Sequence, residues 1–306
     1  MNGVSPNMVK TLDDENKYVL YLFIKDWMNN SMITYEQWTK SRLVPLPKKG
    51  NLHDLNNWRG INLLDVVSKI VSIILNRRAQ KLLEKNSHPM QFGATPKVGC
   101  AEAVFSLKTI LQSRREHDLE TFIIFIDLVK AYDSIKHEII SIALKKMGAL
   151  DKFIQWVEKL YGDFNVILKV GKEEICIEYG CGVWQGDNLV PTLFIIVMQL
   201  VAENIINELI KAKIQLPSIK CSKTSEGVMR LHNEVDMEEL IDRHINMLTY
   251  MDDGAGLFNC REDVVKGSVV ICEVMAKWGL TVHVGYDDSK SKTELMYIPS
   301  TSKLKE

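Results

Sequence analysis

Residues Asn246–Phe258 read NMLTYMDDGAGLF. Apolar and polar side chains alternate on both sides of Asp252-Asp253-Gly254, the pattern of two short strands joined by a tight turn. Gly254 is free to take the positive backbone angles such turns require, so it is expected to make the bend, with Asp252 and Asp253 at the tip. Two adjacent carboxylates repel each other and add nothing to fold stability. A divalent cation between them offsets that cost. A solvated polar turn fits the same letters, so the choice needs a second observation.

A second carboxylate supplies it. Thr121–Asp127 (TFIIFID) is a nearly continuous run of β-forming apolar residues closed by an acid, which reads as a buried strand carrying Asp127 at its C-terminal end. LVKAYDS follows, then a helical pattern over Ile135–Met147 for which Asp133 or Ser134 would be the N-cap. Two strand ends far apart in sequence thus each present a carboxylate. If the strands are neighbours in one sheet, Asp127 and Asp252 can hold a pair of divalent ions about 4 Å apart, the arrangement used for in-line phosphoryl transfer. Oxygen ligands of this kind suit Mg²⁺ or Mn²⁺.

The chain has 306 residues and a formal net charge of −1, so overall charge argues against a nucleic-acid protein. Its distribution says otherwise. Between Lys40 and Lys81 lie Lys40, Arg42, Lys48, Lys49, Arg59, Lys69, Arg77, Arg78 and Lys81 against only Asp54 and Asp65, an electrostatic footprint for phosphates. A solvated helix face accounts for Lys69–Lys81 but less well for Lys48, Lys49 and Arg59, which fall in loop and strand. The six cysteines form no Cys-x-x-Cys pair and several sit in apolar runs, so buried reduced thiols are expected. No secretory leader and no apolar run long enough to span a bilayer is read, which gives an intracellular protein, nuclear or cytoplasmic and not membrane-bound. The histidines have no metal-ligand spacing.

Taken in order, Asp13–Asn29 predicts an amphipathic helix, and Ser41–Pro47 and the later INLL predict strands flanking a polar loop. That Lys-rich hairpin would let Lys48, Lys49 and Arg59 reach over a triphosphate. Val66–Lys85 predicts a long helix with Ile70, Ile73, Ile74 and Leu75 inward. Ala101–Arg115 predicts another, striped by Ala103, Leu107, Ile110 and Leu111. A helix over Lys152–Tyr161 and a hairpin over Asn165–Gly180 come next. The glycine-rich turn Gly182–Asp187 then precedes Pro191 in the first turn of a strongly apolar helix. Such a turn lets backbone approach a flat base pair, while Gln185 offers donors and acceptors, although Gly-x-x-x-Gly spacing alone is no more than a loop–helix junction. Lys211–Glu239 is polar and pattern-poor and reads as a flexible excursion. Glu262–Trp278 is helical, and GLTVHV and TELMYI are strand-like. The plan is α+β: an antiparallel sheet backed by helices, with acids along one edge.

FIDLVKAYDS, GVWQGDNLVPTLF, YMDD and GL…KSKTELMYI, in that order, resemble the successive palm motifs of reverse transcriptases, closest to the non-long-terminal-repeat retrotransposon and group II intron branch. LVPLPKKGN…NNWRGINLLDVVSKIVSIILNRR and QFGATPKVGCAEAVFSLKTIL resemble that branch's fingers motifs. The resemblance covers about Ser41 to Ile298.

It implies a right-hand polymerase with fingers and palm: an N-terminal helical extension over 1–40, fingers over 41–118, palm over 119–298 with 150–180 at the junction, and a tail over 299–306. It implies RNA-directed DNA synthesis by transfer of a nucleotide from a dNTP to a primer 3′-hydroxyl, on an RNA template with a DNA or RNA primer. Asp127 and Asp252 would hold two Mg²⁺ or Mn²⁺ ions with the carbonyl of Leu128, and Asp253 would stand by as third acid. Lys48, Lys49 and Arg59 would contact the triphosphate, and Gln185 and Gly186 would border the nucleotide pocket. Lys292 matches a lysine that protonates the departing pyrophosphate, and Tyr132 an aromatic gate against the ribose 2′-hydroxyl.

The chain departs from the family pattern at Ala94, Thr95 and Val98, at Trp184 and Asn188, and at Gly60. A thumb is expected to be missing, so that further domains or subunits would supply one, and no endonuclease or ribonuclease H segment is read. Two other readings remain: a palm-fold remnant that binds nucleic acid without polymerising, and an RNA-dependent RNA polymerase, which the ring of Tyr132 disfavours.

Overall fold

The structure, a computed structural model, describes residues 4–29, 40–86, 88, 90–94, 98–162, 165–178, 180–223, 229–231, 240–285 and 290–303. Part of the expected N-terminal extension, Thr95 and the end of the tail therefore lie outside the described residues, as do 224–228 and 232–239 of the expected excursion.

In chain order, the short α1 (Pro6–Lys10) precedes α2 (Asp14–Asn29), β1 (Lys40–Pro47), β2 (Trp58–Leu64), α3 (Val66–Asn86) and α4 (Cys100–Glu116). Then come β3 (Thr121–Ile126), α5 (Ala131–Ser134), α6 (His137–Lys146), α7 (Asp151–Gly162), β4 (Asn165–Val170), β5 (Glu173–Glu178) and α8 (Val190–Lys211). The remainder is β6 (Ser218–Lys223), β7 (Met229–Leu231), β8 (Leu240–His244), β9 (Met247–Tyr250), β10 (Asp253–Phe258), α9 (Arg261–Lys277) and β11 (Glu294–Ile298). Helices and mostly antiparallel sheets together make the α+β class expected.

The chain divides into two compact units, 1–86 with 132–197 and 87–131 with 198–306. The first holds a sheet of order β2-β1-β4-β5, in which β1 and β2 pair antiparallel and β1 and β4 parallel. Its strongest periodic element is α7, where Phe153, Ile154, Val157, Leu160 and Tyr161 recur at helical spacing and are all buried. The Trp156 indole N–H donates to the carbonyl of Met28 at 2.7 Å, tying α7 to α2, and the Arg78 guanidinium of α3 lies 4.7 Å from the centre of the same ring.

The second unit is built on an antiparallel sheet of order β11-β3-β10-β9. β3 is its apolar interior strand, flanked by β11 and β10, which is why neither of its faces alternates cleanly with solvent. Ile123, Leu248, Ala255 and Leu257 form a buried cluster with Phe92, Ile110 and Ile245, and the stripe Ala103, Leu107 and Leu111 of α4 packs against it. Helix α9 packs on β3 and β10. On it Gly267 faces Phe258, where a Cβ would fall 2.2 Å from the ring. β6, β7 and β8 form a separate three-stranded sheet.

Several expectations are corrected. In α3 the buried face is Ser68, Val71, Ser72, Leu75, Ala79 and Leu83, while Ile70, Ile73 and Ile74 are half-buried. Two serines sit on the core side, so a reading by apolar residues alone rotates the helix. Asp133 and Ser134 lie inside α5, and α6 is preceded by Lys136 without a side-chain cap. Within Lys211–Glu239, Ser218–Lys223 is a strand, because its backbone pairs with β8 although its side chains carry no strong pattern. GLTVHV is not a strand: only Val282 bridges, to Leu128. Cys100, Cys176, Cys181, Cys260 and Cys272 are free, but the first three are exposed; β5 is an edge strand, which leaves Cys176 uncovered. Finally, α8 is apolar and long enough to cross a bilayer, with a mean hydropathy of 1.7 over its most apolar window. Its residues Leu193–Met198 are all buried within the protein.

Candidate active site

The acids lie in the second unit, at the ends of two paired strands. β10 runs antiparallel to β3 with Gly254 opposite Ile126, so Asp253 and Asp127 leave the ladder one residue beyond the last pair. Asp253 also pairs with Tyr250 of β9, which leaves Met251 and Asp252 as a two-residue hairpin loop. The bend is made by Met251, whose φ is 55°, and not by Gly254. Gly254 serves a different end: it lies in β10, where a Cβ would meet the Met247 methyl at 3.2 Å and Ile126 at 3.5 Å. The glycine permits close packing of strands, and the turn takes its left-handed residue from methionine.

Asp253 reports the crowding of charge. Its carboxyl is held above the ordinary carboxylate range, first by the surrounding protein and then by the charges of Asp252 and Asp127. The Lys292 ammonium lies 3.9 Å from Oδ2 of Asp127, with both side chains part-exposed. The segment after α9 braces this end of β3. The amide of His283 donates to the Asp127 carbonyl at 2.8 Å, and that of Val129 to the Thr281 carbonyl at 2.8 Å. The Asp127 amide donates to the Thr293 hydroxyl at 3.3 Å, and the Lys292 amide to Nδ1 of His283 at 3.4 Å. His283 and Thr293 were not singled out by sequence reasoning, since one isolated histidine and one threonine carry no spacing signal.

Asp127, Asp252, Asp253 and Lys292 are thus brought together, and Leu128 is buried beside them in the chain. Among the described residues, no three His, Cys, Asp or Glu side chains gather into a group that could hold a metal ion. The carboxylates supply hard oxygen donors of the right chemistry.

The remaining expected residues lie in the first unit. Lys48 and Lys49 follow β1, where the Lys48 amide donates to the Asn57 carbonyl at 2.7 Å and closes the loop neck. Arg59 is exposed on β2, opposite Leu46. The Tyr132 ring lies tilted against that of Phe194, with centres 4.3 Å apart. The Val183 amide donates to the Tyr132 carbonyl at 2.8 Å, and the Asn62 amide of β2 to the Gln185 carbonyl at 2.8 Å. Gly186 has φ +113°, and a Cβ there would fall 2.8 Å from the Asn62 carbonyl oxygen, so this position requires glycine. Backbone contacts therefore gather Tyr132, Gln185, Gly186 and the strand that carries Arg59.

Behind this turn lies a polar group absent from the sequence reading. Asp187 is 4% exposed and accepts from the Ser72 hydroxyl, from Tyr161 at 3.2 Å and from the Leu189 amide at 3.3 Å. Burial pushes its carboxyl above the ordinary range, against the pull of these donors, and pushes the Tyr161 phenol well up. The letters carry no clear signal for it, since Ser68 and Ser72 read as part of the polar side of α3.

The sequence profile of the family described as "Reverse transcriptase (RNA-dependent DNA polymerase)" matches residues 46–302. The chain is 28% identical over 228 residues to a retrovirus-related Pol polyprotein from the type-1 retrotransposable element R2 of Popillia japonica, covering 73% of this chain and 30% of that protein. It is 26% identical over 230 residues to the corresponding polyprotein of element R2DM of Drosophila melanogaster, covering 74% of this chain and 21% of that one. The chain thus spans a third or less of the length of these relatives. Among solved structures, apo telomerase from Candida tropicalis, truncated from its C-terminal domain, aligns with a TM-score of 0.58 at 12% identity, over 94% of this chain and 56% of that one. Telomerase of the same organism in complex with a fragment of telomeric RNA aligns with a TM-score of 0.57 at 12% identity, over 92% and 44%. At that identity the likeness is one of fold.

Proposed function

The chain belongs to the reverse transcriptase (RNA-dependent DNA polymerase) family, and from that premise we propose that it is the polymerase core of a retroelement protein, copying RNA into DNA from a primer 3′-hydroxyl. The observation that carries this reading is the convergence of Asp127, Asp252 and Asp253 at the ends of β3 and β10, with Lys292 3.9 Å from Asp127. Asp127 and Asp252, with the Leu128 carbonyl, would hold Mg²⁺ or Mn²⁺. The bound ions supply acidity to the primer hydroxyl and charge stabilisation at the triphosphate.

The chain's own groups then do the rest. Asp253, its carboxyl raised by the surrounding protein and by the charges of Asp252 and Asp127, stands beside them as the third acid. Lys292, 3.9 Å from Asp127, would give a proton to the departing pyrophosphate. Lys48, Lys49 and Arg59 bind the triphosphate, Gln185 and Gly186 border the base pair, and the Tyr132 ring, held by Phe194, excludes a 2′-hydroxyl. Orientation and electrostatics supply most of the acceleration in reactions of this class. In this reading β1, β2 and α3 belong to the fingers, and the β11-β3-β10-β9 sheet is the palm.

A second reading is a palm-fold protein that binds nucleic acid without polymerising. Primer extension on an RNA template with Mg²⁺ or Mn²⁺ separates the two. Extension by the wild-type chain and its loss in Asp252→Asn support polymerisation; equal product from both leaves only binding. In the same assay Tyr132→Ala raises ribonucleotide incorporation if the ring is a gate.

A further inference from the structure

We infer that Asp187 is a positioning residue for the nucleotide pocket: its buried carboxylate, held by Ser72 and Tyr161, fixes the turn that presents Gln185 and Gly186 against β2. The inference rests on the reading of those two residues as the border of that pocket.

Four observations lead to it. A carboxylate in the interior is costly unless it is fully hydrogen-bonded, and Asp187 meets only neutral donors: the hydroxyls of Ser72 on α3 and Tyr161 on α7, and the amides of Asn188 and Leu189. A residue serving only to start α8 would need the last two. The side chain instead joins three elements remote in sequence. Second, the turn closes on the same residue, since the Asp187 amide donates to the Trp184 carbonyl at 3.0 Å. Third, Trp184 is wholly buried and stacks on Tyr161, ring centres 4.3 Å apart at 23°, so the Asp187 ligand Tyr161 is also the platform for the start of the turn. Fourth, the side of the turn away from Asp187 is pinned by the Asn62 amide to the Gln185 carbonyl, with Gly186 pressed on the Asn62 carbonyl.

Gln185 and Gly186 therefore sit between two fixed points, the β2 backbone and the buried Asp187 carboxyl group. Neither can shift without breaking a contact to β2 or releasing Asp187 from α3 and α7. Chemical groups that must meet a substrate within a fraction of an ångström are commonly held by such a supporting layer. Asp187 touches no substrate in this account and acts only through the turn.

The test uses the full chain and two readouts. Hydrogen exchange at the Asn62 amide reports the clamp directly, and calorimetric titration with dATP and Mg²⁺ reports the pocket without turnover. Asp187→Ala is expected to speed exchange at Asn62 and weaken dATP about 10-fold, the loss of one to two buried hydrogen bonds. Asp187→Asn, which keeps an acceptor for Ser72, is expected to recover most of both. Tyr161→Phe removes one donor without emptying the site and should fall between them, which keeps the test alive if the alanine variant fails to fold. In primer extension the change should appear as a raised KM for dNTP with kcat within about twofold. Lowered melting temperatures with wild-type exchange at Asn62 and unchanged dATP affinity would overturn the inference. Should the wild-type chain bind no dATP, the pocket reading fails by itself, and exchange at Asn62 still decides: faster in Asp187→Asn and Tyr161→Phe supports the anchor, unchanged refutes it.

Discussion

Asp253 and Asp187 both hold a proton to higher pH than a free aspartate, and their surroundings have little else in common. Asp253 reaches solvent and is crowded by Asp252 and Asp127 as well as by the protein around it. Asp187 has no like-charged neighbour among the causes of its shift; burial raises it, and the donors around it pull the other way. The first arrangement concentrates negative charge where the fold gains nothing from it, which is the mark of a group kept for chemistry. The second spends every lone pair on holding helices and a turn together. A raised carboxylate is thus a functional signal only once its cause is named.

The sharpest way to break that contrast is to remove an acid from each place. Asp252→Asn should lower primer extension by about 10²–10³-fold, the scale of losing one preorganised charge at a reacting centre. Its melting temperature should hold or rise, since a like charge has been removed. Asp187→Ala should do the reverse in kind: about 2–3 kcal/mol of stability lost in urea titration, because the Ser72 and Tyr161 hydroxyls are left buried without their acceptor. If Asp252→Asn instead unfolds the chain, or Asp187→Ala is as stable as wild type, the two sites have been assigned the wrong way round.

A smaller effect sharpens the comparison through pH. The folded-state pKa of Asp187 lies above its ordinary value of 3.8, so between the two the folded chain binds a proton that the unfolded chain has lost. Stability from this group is therefore greatest below the unfolded value and declines as pH rises through the folded one. Asp187→Asn should flatten that decline, measured as the difference between wild-type and variant unfolding free energies from pH 4 to 7. Glu120 has the opposite sign: its hydrogen bond to Lys303 lowers its pKa, so its contribution is present above the unfolded value and fades as pH falls through the folded one. With Lys303 exposed and Glu120 only half-buried, that pair should matter least. Lys303→Met is expected to cost about 0.5 kcal/mol or less at neutral pH and less still in high salt.

The contrast also marks how far letters alone reach. TFIIFID and NMLTYMDDGAGLF were legible because strand burial and strand alternation are local and periodic, and two acids closing them needed only adjacency of the strands to meet. The resemblance to reverse transcriptases added Lys292 and Tyr132, which no period singles out. What stayed hidden was set by long-range packing. Ser72 looks like the polar side of a helix until Asp187, 115 residues away, turns it inward. Ser218–Lys223 looks like a loop because its strand character lies in its pairing with β8 and not in its side chains. Gly254 was the natural choice for the bend, yet backbone shape at Met251 answered to the register of β9 on β10.

That methionine bears on how such a chain would respond to selection. A left-handed backbone at a side chain with a Cβ costs roughly 1–2 kcal/mol relative to glycine. Exchange for glycine is thus an open route to a sturdier hairpin beneath Asp252.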